Sequence, residues 1–224
     1  MKFEIIDIKK QFRGKTPLES VSFSVESGTC VGILGKNGSG KSTLLSVLAG
    51  VQRCNRGQFL WNEEDLLKNS RLRRQTVGYV PQGTPLFEEL TAWDNLLLWY
   101  SRRKLEEELK SGVLSMLGIG EFLRVPVRKM SGGMKKRLSI GCSVANSPSL
   151  LLLDEPGAAL DLVCKESIAS YLSAFKKNDG TVILTTHDAS ELALCDVWYI
   201  LRNGVVEPYD YDGDLHRLAE ELAK

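Results

Sequence analysis

The chain has no apolar run approaching the 18 or so residues needed to cross a bilayer. Its most apolar stretch, Leu96-Leu97-Leu98-Trp99-Tyr100, is flanked by Asp94 and by Arg102-Arg103. The chain is therefore expected not to span a membrane by itself, and any membrane role needs a partner. Cysteines are few and unpaired in pattern. The five, Cys30, Cys54, Cys142, Cys164 and Cys195, are scattered, odd in number and without a C-x-x-C. This argues against a disulfide framework or a metal cluster and for small buried side chains in a reducing compartment. Excess charge is also lacking. The net charge is +1, so no global field gathers nucleic acid or anionic lipid, and no nucleic-acid partner is expected. Charges interrupt Met1-Lys2-Phe3-Glu4-Ile5-Ile6-Asp7 at once, unlike a secretory signal. Repeats, low-complexity segments and long linkers are absent. What remains is an ordinary globular composition over 224 residues, enough for a sizeable core.

Against this background one stretch stands out. Gly35-Lys36-Asn37-Gly38-Ser39-Gly40-Lys41-Ser42 fits G-x-x-x-x-G-K-[ST], a phosphate-binding loop. Cys30-Val31-Gly32-Ile33-Leu34 before it reads as a buried strand. Thr43 to Ala49 after it reads as a helix stopped by Gly50. In such a loop the glycines let backbone N–H groups turn toward phosphate oxygens, and the helix N-terminus adds its positive dipole end. Lys41 would reach the β- and γ-phosphates, and the Ser42 hydroxyl would ligate Mg²⁺.

Elsewhere the pattern alternates between strand and helix. Phe3, Ile5 and Ile8, and then Val21, Phe23 and Val25, read as half-buried strands, with a turn at Arg13-Gly14-Lys15-Thr16-Pro17. Short strands follow at Gln58 to Trp61 and Thr76 to Val80. From Gly83 the texture turns helical. Thr91-Ala92-Trp93-Asp94 has the form of a capping box. A helix is expected from about Lys104 to Leu117 and another from Met134 to Asn146, so residues 83–127 read as a helical insertion, extended to about 146 by the next helix. Leu150 to Leu153 and Thr181 to Thr185 read as buried parallel strands. Ser167 to Lys177, Ala189 to Leu194 and Asp214 to Leu222 read as helices, and Asn203-Gly204 as a hairpin turn.

A nucleotide hydrolase needs a carboxylate near its metal and a group to orient the lytic water. The strand ending in Asp154-Glu155 delivers two carboxylates at its C-terminal edge, where open α/β sheets bind ligands. Asp154 would hold the metal and Glu155 would act as general base. Asp154-Glu155-Pro156, preceded by Met130-Ser131-Gly132-Gly133-Met134 and followed by His187, resembles the nucleotide-binding subunit of an ATP-binding cassette (ABC) transporter. Motif order and spacing match from Phe12 to His187, covering nearly the whole chain.

The resemblance implies an α/β fold: a P-loop NTPase (RecA-like) core with a mixed sheet, an N-terminal antiparallel β subdomain and a helical insertion. Residues 1–224 would form one ATPase domain, with a core of about 1–82 and 147–224 and the insertion at about 83–146. Phe12 takes the position of the aromatic that stacks on adenine. Residues Gly35 to Thr43 hold the ATP phosphates. Gln82 takes the position of a glutamine that contacts Mg²⁺ and the lytic water. Ser131, Gly132 and Gly133 form a signature that binds the γ-phosphate held by another subunit, with Met134 where glutamine is usual. Gly157 and Ala158 replace small hydroxyl residues in the loop that crosses the dimer interface, where Asp161 remains. His187 contacts the γ-phosphate, whereas His216 has no matching role. Lys135-Lys136-Arg137 are expected on a solvated helix face.

The phosphate loop and the signature of one chain cannot meet in that family's geometry. The resemblance therefore implies a head-to-tail dimer, with a second copy or a homologous ATPase subunit, closing on ATP and opening after hydrolysis. Integral membrane permease subunits would hold it at the cytoplasmic face of the cell membrane. Leu86, Phe87, Leu90 and Trp93 are candidates to line the groove that meets them. The segment Ser131 to Leu138 and the segment Pro85 to Thr91 look like those of two-component bacterial exporters. The other classes fit less well. Relatives acting on ribosomes usually carry two cassettes in one chain, and those acting on DNA a long coiled coil. A P-loop kinase or GTPase leaves Ser131-Gly132-Gly133 and His187 unexplained, and no N-K-x-D follows the loop.

Overall fold

The computed structural model describes residues 2–224; Met1 lies outside the described residues. The chain opens with a hairpin of β1 (Lys2–Phe12) and β2 (Lys15–Glu26). Its turn is only Arg13-Gly14, because Lys15, Thr16 and Pro17 already belong to β2, pairing back from Phe12↔Lys15. The expected five-residue turn is thus corrected to two residues. Phe3, Ile5 and Ile8 are all buried although Ile5 and Ile8 are three apart. A register shift between them absorbs the odd residue, with Asp7 at φ 49°. Arg56 and Ser20 hold the Asp7 carboxylate there.

β3 (Cys30–Leu34) leads through the phosphate loop into α1 (Lys41–Leu48). β4 (Arg56–Trp61) and the short β5 (Glu64–Asp65) follow, then α2 (Ser70–Thr76), which the sequence pattern did not indicate, and β6 (Val77–Val80). The helical segment contains α3 (Ala92–Leu97), α4 (Arg102–Ser111), α5 (Val113–Met116) and α6 (Gly132–Ser143). The single helix expected over 104–117 is broken at Gly112. The Glu108 carboxylate accepts the Val113 N–H at 2.8 Å and ends the first helix there. The capping box at Thr91 and Asp94 is formed as expected.

The chain then returns through β7 (Leu150–Asp154), α7 (Leu162–Lys177), β8 (Thr181–Thr185), α8 (Ala189–Leu192), β9 (Val197–Arg202), β10 (Val205–Tyr209) and α9 (Leu215–Ala223). α7 starts five residues before the expected Ser167, because the Asp161 side chain caps it by accepting the Cys164 N–H at 2.8 Å.

Among the described residues the strands form one mixed sheet in the order β5-β4-β1-β2-β10-β9-β3-β8-β7-β6. β9, β3, β8, β7 and β6 run parallel. β5, β4, β1 and β2 form the antiparallel end. β3, β7 and β8 are buried at every position, which is why they read as unbroken apolar runs rather than alternating ones. On one face α1 packs with Ile33, Leu150, Leu152 and Ile183. On the other, Leu151, Leu153, Val182 and Leu184 join Leu96, Leu105, Leu114 and Leu138 of the helical segment in one cluster. Each such fully buried leucine contributes about 1.5–3 kcal/mol relative to exposure. Among the described residues no helix is long and apolar enough to cross a membrane. Cys30, Cys142, Cys164 and Cys195 are buried, as expected, whereas Cys54 is only half-buried.

Candidate functional site

Four neighbouring parallel strands, β3, β8, β7 and β6, end at the same edge of the sheet. Their C-terminal ends deliver the phosphate loop, His187, Asp154-Glu155 and Gln82 respectively, so residues far apart in sequence share one crevice.

The loop geometry depends on two glycines. Gly35 has φ 154°, and a Cβ there would lie 2.6 Å from Ser39 Oγ and 2.7 Å from the Leu201 carbonyl oxygen. Gly40, which caps α1, has φ 110°, and its Cβ would meet the Pro17 carbonyl oxygen at 2.7 Å. Only glycine fits either place without displacing backbone. Lys41 is buried, and its ammonium donates to the Gly35 carbonyl at 2.6 Å and the Lys36 carbonyl at 3.2 Å. Burial lowers its pKa, while Glu155 and Asp154 oppose that. The Lys36 side chain points elsewhere, donating to the Ala223 carbonyl at 2.6 Å at the end of α9. The part of Lys36 left to face a phosphate is its backbone N–H.

A cavity of about 340 Å³ is lined by Pro17, Asn37, Gly38, Gly40, Lys41, Ser42, Thr43, Gln82 and Glu155. Across it the Gln82 amide donates to Glu155 Oε2 at 2.9 Å. Asp154 is buried beside this cavity and accepts from the Thr185 hydroxyl at 2.7 Å through one oxygen. The Glu155 N–H bonds the same threonine at 3.1 Å, which fixes both carboxyl-bearing residues to the end of β8. Glu155 has φ 47°, a left-handed conformation uncommon outside glycine and held at a functional loop by its surroundings.

A second cavity, of about 220 Å³, joins Glu155 to Ala158, Thr186, His187, Asp188 and Glu191. Desolvation by its neighbours, and then the Lys41 ammonium, hold the His187 imidazole below its ordinary pKa, with Glu155 acting the other way. A third, of about 610 Å³, brings Phe12 together with Gly38, Ser39 and Thr43. Phe12 is 42% exposed, and the Lys10 ammonium lies 4.6 Å from its ring centroid. Lys15, Asn203 and Gly204 also line this cavity. The sequence reading left them out, because they become neighbours of the loop only through the β2–β10 pairing at Val205↔Ser20.

Ser131, Gly132 and Gly133 line none of these three cavities. Ser131 caps α6, its hydroxyl accepting the Met134 N–H at 3.2 Å, and the residue is exposed. Gly133 is buried, with its carbonyl 3.5 Å from Cys164 Sγ. The expected solvated face at Lys135-Lys136-Arg137 needs correction. Lys135 is the outer one, paired with Glu88. Lys136 is 4% exposed, and its ammonium donates to the carbonyls of Pro81 and Gln82, both at 3.1 Å. Arg137 donates to the Leu117 carbonyl and lies over the Phe122 ring. Lys136 therefore fixes the backbone that carries Gln82. Its helix position gave no sign of this, since the partners are carbonyls more than fifty residues away.

A larger groove of about 790 Å³ lies between the sheet edge and the helical segment. Leu86 and Phe87 line it as expected, with Tyr79, Asn95 and Trp99. Leu90 and Trp93 do not; Trp93 packs inward, with Arg124 over its ring. His216 is exposed on α9.

Among the described residues no three His, Cys, Asp or Glu side chains cluster as a metal cage. The Ser42 hydroxyl, the Gln82 amide and the Glu155 carboxylate face the 340 Å³ cavity, and Asp154 is buried next to Glu155. Hard oxygen donors in small number are the set that would suit Mg²⁺.

A family model described as ABC transporter matches residues 18–158. The chain is a member of the ABC transporter family. A Nod factor export ATP-binding protein I from Sinorhizobium fredii is 34% identical to this cassette over 97% of its length. The cassette spans 64% of that relative, less than two thirds of it. A spermidine/putrescine import ATP-binding protein, PotA, from Spiroplasma citri is also 34% identical, over 98% of the cassette and 64% of the relative. Among solved structures, a dimeric post-hydrolysis state of the ATP-binding cassette MJ0796 bound to ADP and Pi superposes with a TM-score of 0.82. It is 25% identical and covers 92% of this chain and 96% of that one. The mixed sheet and phosphate-loop core expected from the sequence are therefore those of an ABC ATPase cassette.

Proposed function

We propose that this cassette binds and hydrolyses ATP to power a membrane transporter. Its active unit is a head-to-tail dimer, formed with a second copy or a homologous ATPase subunit. The observation that carries the reading is the Gln82–Glu155 hydrogen bond across a cavity whose other wall is Lys41, Ser42 and Thr43. A carboxylate and an amide facing a phosphate loop are the groups a lytic water needs.

In this reading the backbone N–H groups of residues 35–43 cradle the phosphates, and Lys41 turns from its loop carbonyls to the anionic oxygens. Ser42, Gln82 and Asp154 would hold Mg²⁺, which would supply neutralisation of the phosphate charge. Glu155 accepts the proton of the attacking water, and Gln82 fixes the carboxylate that does so. His187, kept neutral, donates one hydrogen bond toward the γ-phosphate. Phe12 stacks on adenine, with Lys10 holding the ring. Ser131, Gly132 and Gly133 face away from the chain's own loop and serve the partner's nucleotide at the start of α6.

Residues 83–146 act as a helical arm on the core of residues 1–82 and 147–224, and the groove at Leu86 and Phe87 takes a segment of a permease. In this reading the cassette works peripherally, at the cytoplasmic face of the membrane. Its direction is export, a reading that rests on the exporter-like Ser131 to Leu138 segment, since the export and import relatives are equally similar. The test is steady-state ATPase of Glu155→Gln and Lys41→Ala beside wild type. Glu155→Gln keeps ATP binding and loses turnover, whereas Lys41→Ala weakens binding or hydrolysis. Wild-type rates in both variants would refute the assignment.

A further inference from the structure

Glu191 is a buried carboxylate to which the mechanism above gives no task. It sits in α8 and is 6% exposed, although it lines the cavity that holds Glu155 and His187. A buried carboxylate is costly unless hydrogen-bonded. Its carboxylate lies against Gly157 and beside Thr186 in that cavity, and the Thr186 hydroxyl and the Gly157 backbone N–H both act to hold its pKa down. Gly157 is two residues after Glu155, and Thr186 is the residue before His187. One side chain therefore clasps the two loops that carry the proposed base and the proposed γ-phosphate contact.

The packing around the clasp is tight. A Cβ on Gly157 would lie 2.4 Å from Glu191 Oε1, so the carboxylate fills the space a side chain would take. The Thr186 hydroxyl is fixed in turn by accepting the Asp188 N–H at 2.9 Å. Asp188 is ion-paired to Lys165 of α7. The Glu155 loop closes on itself through Ala158 N–H to the Glu155 carbonyl at 3.3 Å. Burial raises the Glu191 pKa, and the two hydrogen bonds work against that, as expected of a carboxylate used for its acceptor oxygens.

We propose that Glu191 is a positioning residue that locks the 155–158 loop to the 186–188 loop, setting Glu155 and His187 at the spacing hydrolysis requires. Glycine at 157 leaves the carboxylate room beside its N–H, and a side chain there would make the end of Glu191 shift. This rests on the reading of Glu155 and His187 as parts of the hydrolytic site. Misplacement of reacting groups by about 1 Å costs up to about a hundredfold in rate, so loss of the clasp appears in kcat. ATP affinity, supplied mainly by the phosphate loop, stays.

The experiment measures kcat and KM for ATP, with thermal unfolding, on full-length Glu191→Ala, Glu191→Gln, Gly157→Ser and the Glu191→Ala/Gly157→Ser pair. Glu155→Gln is the reference. Glu191→Ala is expected to lower kcat at least about tenfold with KM within about threefold. Glu191→Gln, the same shape with one acceptor kept, falls between. Gly157→Ser lowers kcat in the wild-type background and changes nothing further once Glu191 is alanine, because the clash is gone. If Glu191→Ala does not fold, Glu191→Gln and Gly157→Ser carry the test. A kcat within twofold of wild type in every folded variant, or strictly additive losses in the pair, overturns the proposal. Undiminished turnover in Glu155→Gln overturns instead the hydrolytic reading on which it rests.

Discussion

Lys136→Met isolates the contribution of the buried ammonium beneath Gln82. Methionine keeps the length and most of the apolar stem and removes the charge. Two charge-assisted hydrogen bonds, to Pro81 and Gln82, are lost. Hydrogen bonds to a charged group contribute about 1.5–3 kcal/mol each. Two effects offset the loss. Burying an ammonium itself costs several kcal/mol, seen here as a Lys136 pKa lowered by burial. Gln82 is exposed, so its carbonyl can turn to water. The net destabilisation is about 1–2 kcal/mol, which for a domain of this size lowers Tm by about 2–8 °C. Turnover is affected more, because the released 81–82 backbone no longer holds the Gln82 amide on Glu155. A loss of about tenfold or more in kcat, with little change in ATP affinity, is expected. Calorimetry and a steady-state ATPase assay read both. A Tm within 1 °C or so of wild type together with kcat within about twofold would refute the idea that Lys136 anchors this loop.

Other perturbations test separate parts of the account. The two histidine resonances are distinguished by His216→Gln, and the His187 midpoint should fall below 6.5. Lys41→Met should raise it without restoring the ordinary value, since desolvation remains; no change, or a fall, contradicts the assignment. The sign for stability follows: the unfolded chain binds that proton more tightly, so His187 costs stability as pH falls from about 6.5 through the folded midpoint. Lys36→Ala should leave ATP affinity within about twofold, because the side chain is spent on α9, and should make α9 more open to limited proteolysis. A tenfold loss of affinity would return that side chain to the phosphates. Thr91→Ala removes the hydroxyl that accepts the Asp94 N–H, leaves Asp94 on the residue-91 backbone N–H, and should cost about 1 kcal/mol in urea unfolding; an unchanged midpoint would show that the hydroxyl cap adds nothing to α3.

The sequence was most legible where local chemistry and tertiary structure agree. The phosphate loop, the buried runs at 150–154 and 181–185, the Asn203-Gly204 turn and the capping box each carry their own signal, and each formed as read. α2 escaped because Ser70-Arg71-Leu72-Arg73-Arg74 shows no apolar period, and what starts the helix is the Asn69 side chain accepting the Leu72 N–H. The break at Gly112 depends on a side chain folding back from Glu108, and the early start of α7 on a cap by Asp161. At the site, Lys136 and Glu191 look like ordinary charged helix residues. Their burial is decided by loops that arrive from elsewhere in the chain, so no periodicity could mark them. The signature segment was legible as a motif, and its separation from the chain's own loop was implied by the resemblance alone; in the fold residues 131–133 line none of the three cavities around that loop.

That separation makes the partner the most exposed part of the account. Glu155→Gln should bind Mg²⁺-ATP without consuming it and hold the dimer closed. Sedimentation of this variant gives the most direct reading. The account predicts a species of twice 24.9 kDa with Mg²⁺-ATP and a single chain with Mg²⁺-ADP. It also predicts that Ser131→Arg, placed in the same background, abolishes the dimer while leaving ATP binding to the loop intact. A Glu155→Gln chain that binds ATP at full occupancy yet sediments as a monomer, or a dimer indifferent to Ser131→Arg, would contradict a nucleotide site shared between two copies of this chain.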